Sequence, residues 1–138
     1  MRKLAIDYGD ARVGVAISDP LNITAQGLET INRNGSDKIV LRRLDEILTQ
    51  YEVDTIVVGM PYNLKGEKTV RAEATEQFIH KLKCKYNKLK IETVDERLTT
   101  VAAHKTMNFL DINKNKKRNI VDTISAVYIL ESYMNKSK

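Results

Sequence analysis

Three acidic positions stand where carboxylates could do chemistry. Asp7 closes the apolar stretch Leu4-Ala5-Ile6, directly before the tight turn Tyr8-Gly9, where a side chain can project past a sheet edge into a cleft. Asp95 and Glu96 follow the short apolar stretch that ends at Val94. Adjacent strand residues point to opposite faces, so only one of this pair can join Asp7, and parity does not choose which. Asp122 stands in Ile120-Val121-Asp122-Thr123-Ile124, with Ala126, Ile129 and Tyr133 following at helical spacing on an otherwise apolar face. Each has a plainer explanation. Asp7 would serve as a turn aspartate, and Asp122 as a first-turn acid of a helix capped by Asn119.

Taken together, three carboxylates at the ends of two strands and a helix repel one another unless cations compensate. Oxygen ligands suit hard divalent ions, Mg²⁺ or Mn²⁺, and the chain has one cysteine and two histidines, too few to favour zinc. His80 and His104 read as surface residues of polar helices, and Cys84, in a lysine-rich stretch, as incidental. Two such ions roughly 3.5 to 4 Å apart activate water and stabilise a leaving oxygen during in-line attack on a phosphodiester.

The cations fit a polyanionic partner. Lys and Arg total 23 against 18 Asp and Glu, a formal charge of +5. Lys114, Lys116, Lys117 and Arg118 run just before Asp122, in a stretch that reads as a loop and could grip backbone phosphates. Arg12, after the first turn, offers a planar fork of donors to a phosphate. Gly59-Met60-Pro61 and Asn63 end an apolar strand, at the edge where α/β folds place ligands. Tyr62 is the aromatic nearest that edge. Without a ladder of aromatics, sequence-specific base reading is not indicated.

The elements that must position these residues follow from pattern. Lys3–Tyr8 and Val13–Ile17 read as a hairpin around Gly9-Asp10-Ala11-Arg12, and a third strand is expected over Ala25–Asn32. Asn34-Gly35-Ser36-Asp37 breaks the chain and caps a helix whose apolar face is Val40, Leu44, Ile47, Leu48 and Tyr51. Thr55–Met60, an unbroken apolar run, reads as a central parallel strand. A helix over Glu67–Tyr86 with Ala74, Phe78 and Leu82 inward, a strand over Leu89–Val94, a helix from Thr99 or Thr100 to Leu110 and a last helix over Ile120–Met134 complete the chain. The expectation is one α/β domain over residues 1–138 with a mixed five-stranded sheet. With no leader and no membrane-length apolar run, a cytoplasmic location is expected.

The blocks Asp7-Tyr8-Gly9, Arg12-Val13-Gly14-Val15-Ala16 with Ser18-Asp19, Gly59-Met60-Pro61-Tyr62-Asn63-Leu64-Lys65-Gly66, Asp95-Glu96-Arg97-Leu98-Thr99-Thr100 and Asp122-Thr123-Ile124-Ser125-Ala126 resemble the YqgF family, in the family's order and across nearly the whole chain. That resemblance implies a ribonuclease H-like, resolvase-type fold with helices on both faces of the sheet and with Asp7, Glu96 and Asp122 as acidic triad and metal ligands. It also selects Glu96 over Asp95. The family is associated both with Holliday junction resolution and with maturation of the 5′ end of 16S ribosomal RNA. The implied activity is a metal-dependent nuclease on precursor rRNA or branched DNA, with rRNA processing slightly ahead and the small-subunit precursor as partner. Departures are mild: Met60 and Lys65 replace more usual residues of the Gly-Met-Pro loop, and Thr123-Ile124-Ser125 is less alanine-rich. Two rival expectations stand beside it, a ribosome-assembly factor that binds rRNA but cuts little, and an actin-like ATPase, for which the chain is short.

Overall fold

The computed structural model describes residues 1–62, 65, 67, 69–95 and 114–136, with 114–122 and 136 described by their backbone alone. Five strands form one sheet: β1 (Arg2–Tyr8), β2 (Arg12–Ser18), β3 (Ala25–Asn32), β4 (Val53–Met60) and β5 (Lys90–Asp95). Their order is β3-β2-β1-β4-β5, with β1, β2 and β3 antiparallel and β4 and β5 parallel to β1. The mixed sheet and the hairpin are as expected from the alternation and turn chemistry. β4 is central, as its two-sided apolar run requires: Ile56, Val58 and Met60 enter one core and Val57 the other.

Helices α1 (Asp37–Gln50) and α2 (Val70–Lys85) cover one face, and α3 (Lys114–Lys136) packs across β1, β2 and β3 on the other. The first helix begins where Asn34 and Gly35 both take positive φ, 49° and 75°, and Ser36 caps it by accepting from the Lys38 amide. Val40, Leu44 and Ile47 are buried as the spacing predicted. Arg43 clamps α1 to the edge strand, donating from Nε and Nη2 to Glu29 at 2.8 and 2.7 Å. Thr69 caps α2, so that helix starts three residues later than predicted. Its inward face is Ala72, Thr75, Phe78, Ile79 and Leu82, with Ala74 only half-buried. Phe78 is fully buried and stacks on Tyr8 with centroids 4.4 Å apart, a packing whose removal costs about 3–5 kcal/mol.

On the opposite face, Ala126, Ile129, Leu130 and Met134 of α3 meet Ala5, Ala16 and Val57. The floor is built of small residues, so the helix sits close. A Cβ at Gly27 would lie 2.3 Å from Thr123 Cγ2, and Thr30 and Thr123 share a hydrogen bond of 2.8 Å between their hydroxyls.

Two expectations about the last helix are corrected. The helix begins at Lys114 rather than Ile120, so Lys114, Lys116, Lys117 and Arg118 lie in its first turns and not in a loop before it. Asn119 is therefore interior and is not the cap. Lys114–Lys136 holds neither glycine nor proline, and the helix propensity of its lysines and arginine outweighs the interleaved asparagines. The helix expected over residues 99–110 lies outside the described residues. Among those described, no helix is long and apolar enough to cross a membrane.

Candidate active site

Strand parity decides which side chains share a face at the end of β1. Ala5 packs in the α3 core while Leu4, Ile6 and Tyr8 pack in the α1/α2 core, so Asp7 belongs to the α3 side. Its partner across the hairpin is Gly14, and Gly14 in turn pairs with Thr30, the residue bonded to Thr123 of α3. On β4, Gly59 lies two residues beyond Val57 and so faces the same way. The Asp7 carboxylate thus stands in a row of the sheet flanked by glycines on both neighbouring strands. No side chain crowds it from either side, and the floor under the α3 side of the sheet stays open there.

Arg12 opens β2 opposite Asn32, two residues before Gly14, which puts it on the face of Asp7 at the same edge. Its carbonyl accepts from the Gly9 amide at 3.0 Å, and a Cβ at Gly9 would come within 2.6 Å of that oxygen. Glycine at position 9 is what lets the hairpin close and bring Asp7 and Arg12 together.

Asp95 ends β5 opposite Met60. Val94 packs in the α3 core and Thr93 lines a groove on the α2 side, so Asp95 belongs to the α2 side, away from Asp7. Asp122 lies in α3 one turn before the fully buried Ala126, in the third turn of the helix. That position removes the capping explanation for an acid there. Glu96 and Asn63 lie outside the described residues, as do the side chains of Asp122, Lys114, Lys116, Lys117 and Arg118. Among the described residues, no group of three His, Cys, Asp or Glu side chains stands together.

Directly behind Asp7, on the other face, is a polar cluster that the sequence did not announce. The Asp37 carboxylate, 10% exposed, accepts from Tyr8 Oη at 2.5 Å, Arg33 Nε at 2.8 Å and Lys81 Nζ at 2.7 Å. Arg33 also covers the Tyr8 ring, and Arg71 donates to the Tyr8 carbonyl at 3.2 Å. These contacts join the end of β1 to the exit of β3, the start of α1 and the body of α2. Burial alone would raise the Asp37 pKa, but hydrogen bonds from Lys81, Tyr8 and Arg33 outweigh it and hold the carboxyl below its ordinary value. Burial, then the bond to Asp37, pushes Tyr8 up to about 12. Asp37 had read only as helix-start chemistry, and nothing local in the sequence pairs it with Tyr8, 29 residues away.

A family model described as RuvX, Holliday junction resolvase, matches residues 1–136. A relative from Ruminiclostridium cellulolyticum, provisionally named a pre-16S rRNA nuclease, is 53% identical over 136 residues, covering 99% of this chain and 95% of its own. A relative of the same name from Acetivibrio thermocellus is 47% identical over 135 residues, covering 98% and 96%. Among solved structures, Thermus thermophilus RuvC in complex with a Holliday junction substrate is similar, with a TM-score of 0.59 and 12% identity over 99% of this chain and 96% of that one. A second Thermus thermophilus RuvC structure gives a TM-score of 0.56 at 10% identity. At such identity the likeness is one of fold, and the fold is ribonuclease H-like, as the sequence resemblance implied.

Proposed function

The chain belongs to the RuvX Holliday junction resolvase family, the same family read from its motifs as YqgF, and from that premise we propose that it is a metal-dependent endonuclease that trims the 5′ end of precursor 16S rRNA. The observation that carries the nuclease reading is the placement of Asp7, on the face covered by α3 and flanked by Gly14 and Gly59. A carboxylate with open floor on both sides suits a hard divalent ion, Mg²⁺ or Mn²⁺, held by oxygen donors. Asp7, Glu96 and Asp122 are the proposed ligands. Asp122 is supported by its turn of α3 lying just ahead of Ala126 and Thr123, which touch the sheet on that face, and Glu96 by the exclusion of Asp95. Metal bound there supplies an activated water and charge stabilisation at the leaving oxygen.

The chain's own residues do the rest. Arg12, on the face and at the edge of Asp7, takes a non-bridging phosphate oxygen through its planar fork. Four of the first five residues of α3 are basic, at the positive end of the helix dipole, where cations are unfavourable until an anion joins them. Lys114, Lys116, Lys117 and Arg118 are proposed to hold the nucleic-acid backbone there, with Asn63 at the opposite edge of the cleft. The choice of rRNA rests on the names of relatives at 47% and 53% identity. Junction resolution, the activity in the family's description, is the second reading.

The deciding experiment is cleavage of a precursor 16S 5′ leader, a four-way DNA junction and matched single strands, with and without Mg²⁺ or Mn²⁺, by wild type and Asp7→Asn. Metal-dependent cutting of the leader, lost in Asp7→Asn, is expected. Preferential cutting of the junction would move the assignment to the second reading, and binding without cutting under any metal would make the protein an assembly factor.

A further inference from the structure

An open groove of about 320 Å³ lies between α2 and the ends of β4 and β5, on the sheet face opposite Asp7. Its volume falls in the range of small-ligand sites, roughly 300–1,000 Å³. Its floor is apolar: Met60 and Ile79 are only 4% and 7% exposed. Tyr62 forms one wall, held at the strand exit by its amide donating to the Met60 carbonyl at 3.1 Å. Lys83 stands at the rim, with the Thr93 hydroxyl and the Glu76 carboxylate also lining the groove.

Lys83 differs from the lysines beside it. Lys81 is bonded to Asp37 at 2.7 Å and Lys85 to Asp45 at 2.8 Å, both tying α2 to α1. Among the described residues Lys83 has no carboxylate partner, and it points the other way, into the groove. A stacking ring over an apolar floor, hydrogen-bonding groups for a base edge and one uncommitted ammonium for a phosphate are the parts of a site for a single unpaired nucleotide. A metabolite pocket would be enclosed, whereas an open groove lets a strand enter and leave.

We propose that this groove seats an unpaired nucleotide of the substrate, its base against Tyr62 and its phosphate on Lys83. The inference rests on the nuclease reading and narrows its substrate to nucleic acid with a single-stranded segment near the cut. Position supports it: β5 is the second neighbour of β1, so the groove lies about 10 Å along the same sheet edge from Asp7. That is about three stacked nucleotides of a strand.

The test uses a single-stranded RNA pentamer and a blunt RNA duplex of equal charge, titrated without metal into the full chain and followed by amide NMR shifts. The pentamer is expected to shift the amides of Ile79, Lys83 and Thr93, and Tyr62→Ala to weaken it at least about fivefold, the loss of one stacked base. Tyr62→Phe should retain binding, the exposed variant Lys83→Ala should weaken it, and duplex affinity should be indifferent to all three. Equal pentamer affinity in wild type, Tyr62→Ala and Lys83→Ala would overturn the proposal, as would equal weakening of pentamer and duplex. Cleavage by wild type is scored separately. A wild type that binds the pentamer in the groove but cuts nothing keeps the groove and defeats the nuclease reading, while cutting with an indifferent groove does the reverse.

Discussion

Asp37→Asn changes one oxygen for an amide and removes the charge on which three donors converge. Tyr8 and Arg33 can still donate to the remaining carbonyl oxygen, but the new amide is a donor facing the Lys81 ammonium, 2.7 Å from the atom it replaces. Hydrogen bonds to a charged group contribute about 1.5–3 kcal/mol each. The Lys81 side chain is half-exposed and recovers much of its loss in water, so its share is discounted. Arg33 and Tyr8 are more enclosed and lose more. The expected destabilisation is about 2–3 kcal/mol, a fall in Tm of roughly 6–12 °C for a domain of this size. The pH dependence has a definite sign. The folded Asp37 pKa is depressed, so its stabilisation is fully present above the unfolded carboxyl value near 3.9, about where Asp titrates in an open chain, and is lost as pH falls through the folded pKa. Calorimetry of wild type and variant from pH 7 downward should give a constant Tm gap to about pH 5 that closes below about pH 4. A gap under about 1 °C at pH 7, or one that persists undiminished at pH 3, would show that the carboxylate does not hold this corner together.

Asp7→Asn should abolish cleavage and the Tm rise that Mg²⁺ or Mn²⁺ gives wild type, and Glu96→Gln and Asp122→Asn should do the same while Asp95→Asn keeps most activity; a thermal-shift titration beside the cleavage assay checks all four. Gly27→Ala should cost about 1–3 kcal/mol by driving a methyl into Thr123, and adding Thr123→Ser, which removes Cγ2 but keeps the hydroxyl bonded to Thr30, should restore most of it in urea unfolding. In a helix Lys114, Lys117 and Arg118 fall on one side and Lys116 on the other, so alanine at each of the first three should lower the slope of log affinity against log salt by about 0.7–0.9 while Lys116→Ala leaves it unchanged.

The sheet was legible because its signals are local. Apolar runs at Leu4–Ile6 and Ile56–Val58 and the turns at Gly9 and Asn34-Gly35 each announce themselves within a few residues. The start of α3 was not, because a lysine-asparagine run is compatible with a loop until packing against Ala5 and Ala16 makes the helix that follows worth extending. In the same way Asp7, Arg12 and Gly14 could be placed on one face from strand parity once the hairpin was recognised. The Asp37 cluster could not, since residues 8, 33, 71 and 81 meet only after both crossover helices have packed.

The helix carrying Asp122 is synthesised last, yet it packs on the three strands synthesised first. A nascent chain can pair β1 with β2 and β3 early, from local contacts, but the face bearing Asp7 then shows only an apolar seam of Ala5, Ala16 and Val57. On the function proposed, the acids cannot assemble until α3 has been released and has docked. A growing chain is therefore harmless to the ribosome that is making it, and its cutting power arrives with its final fold.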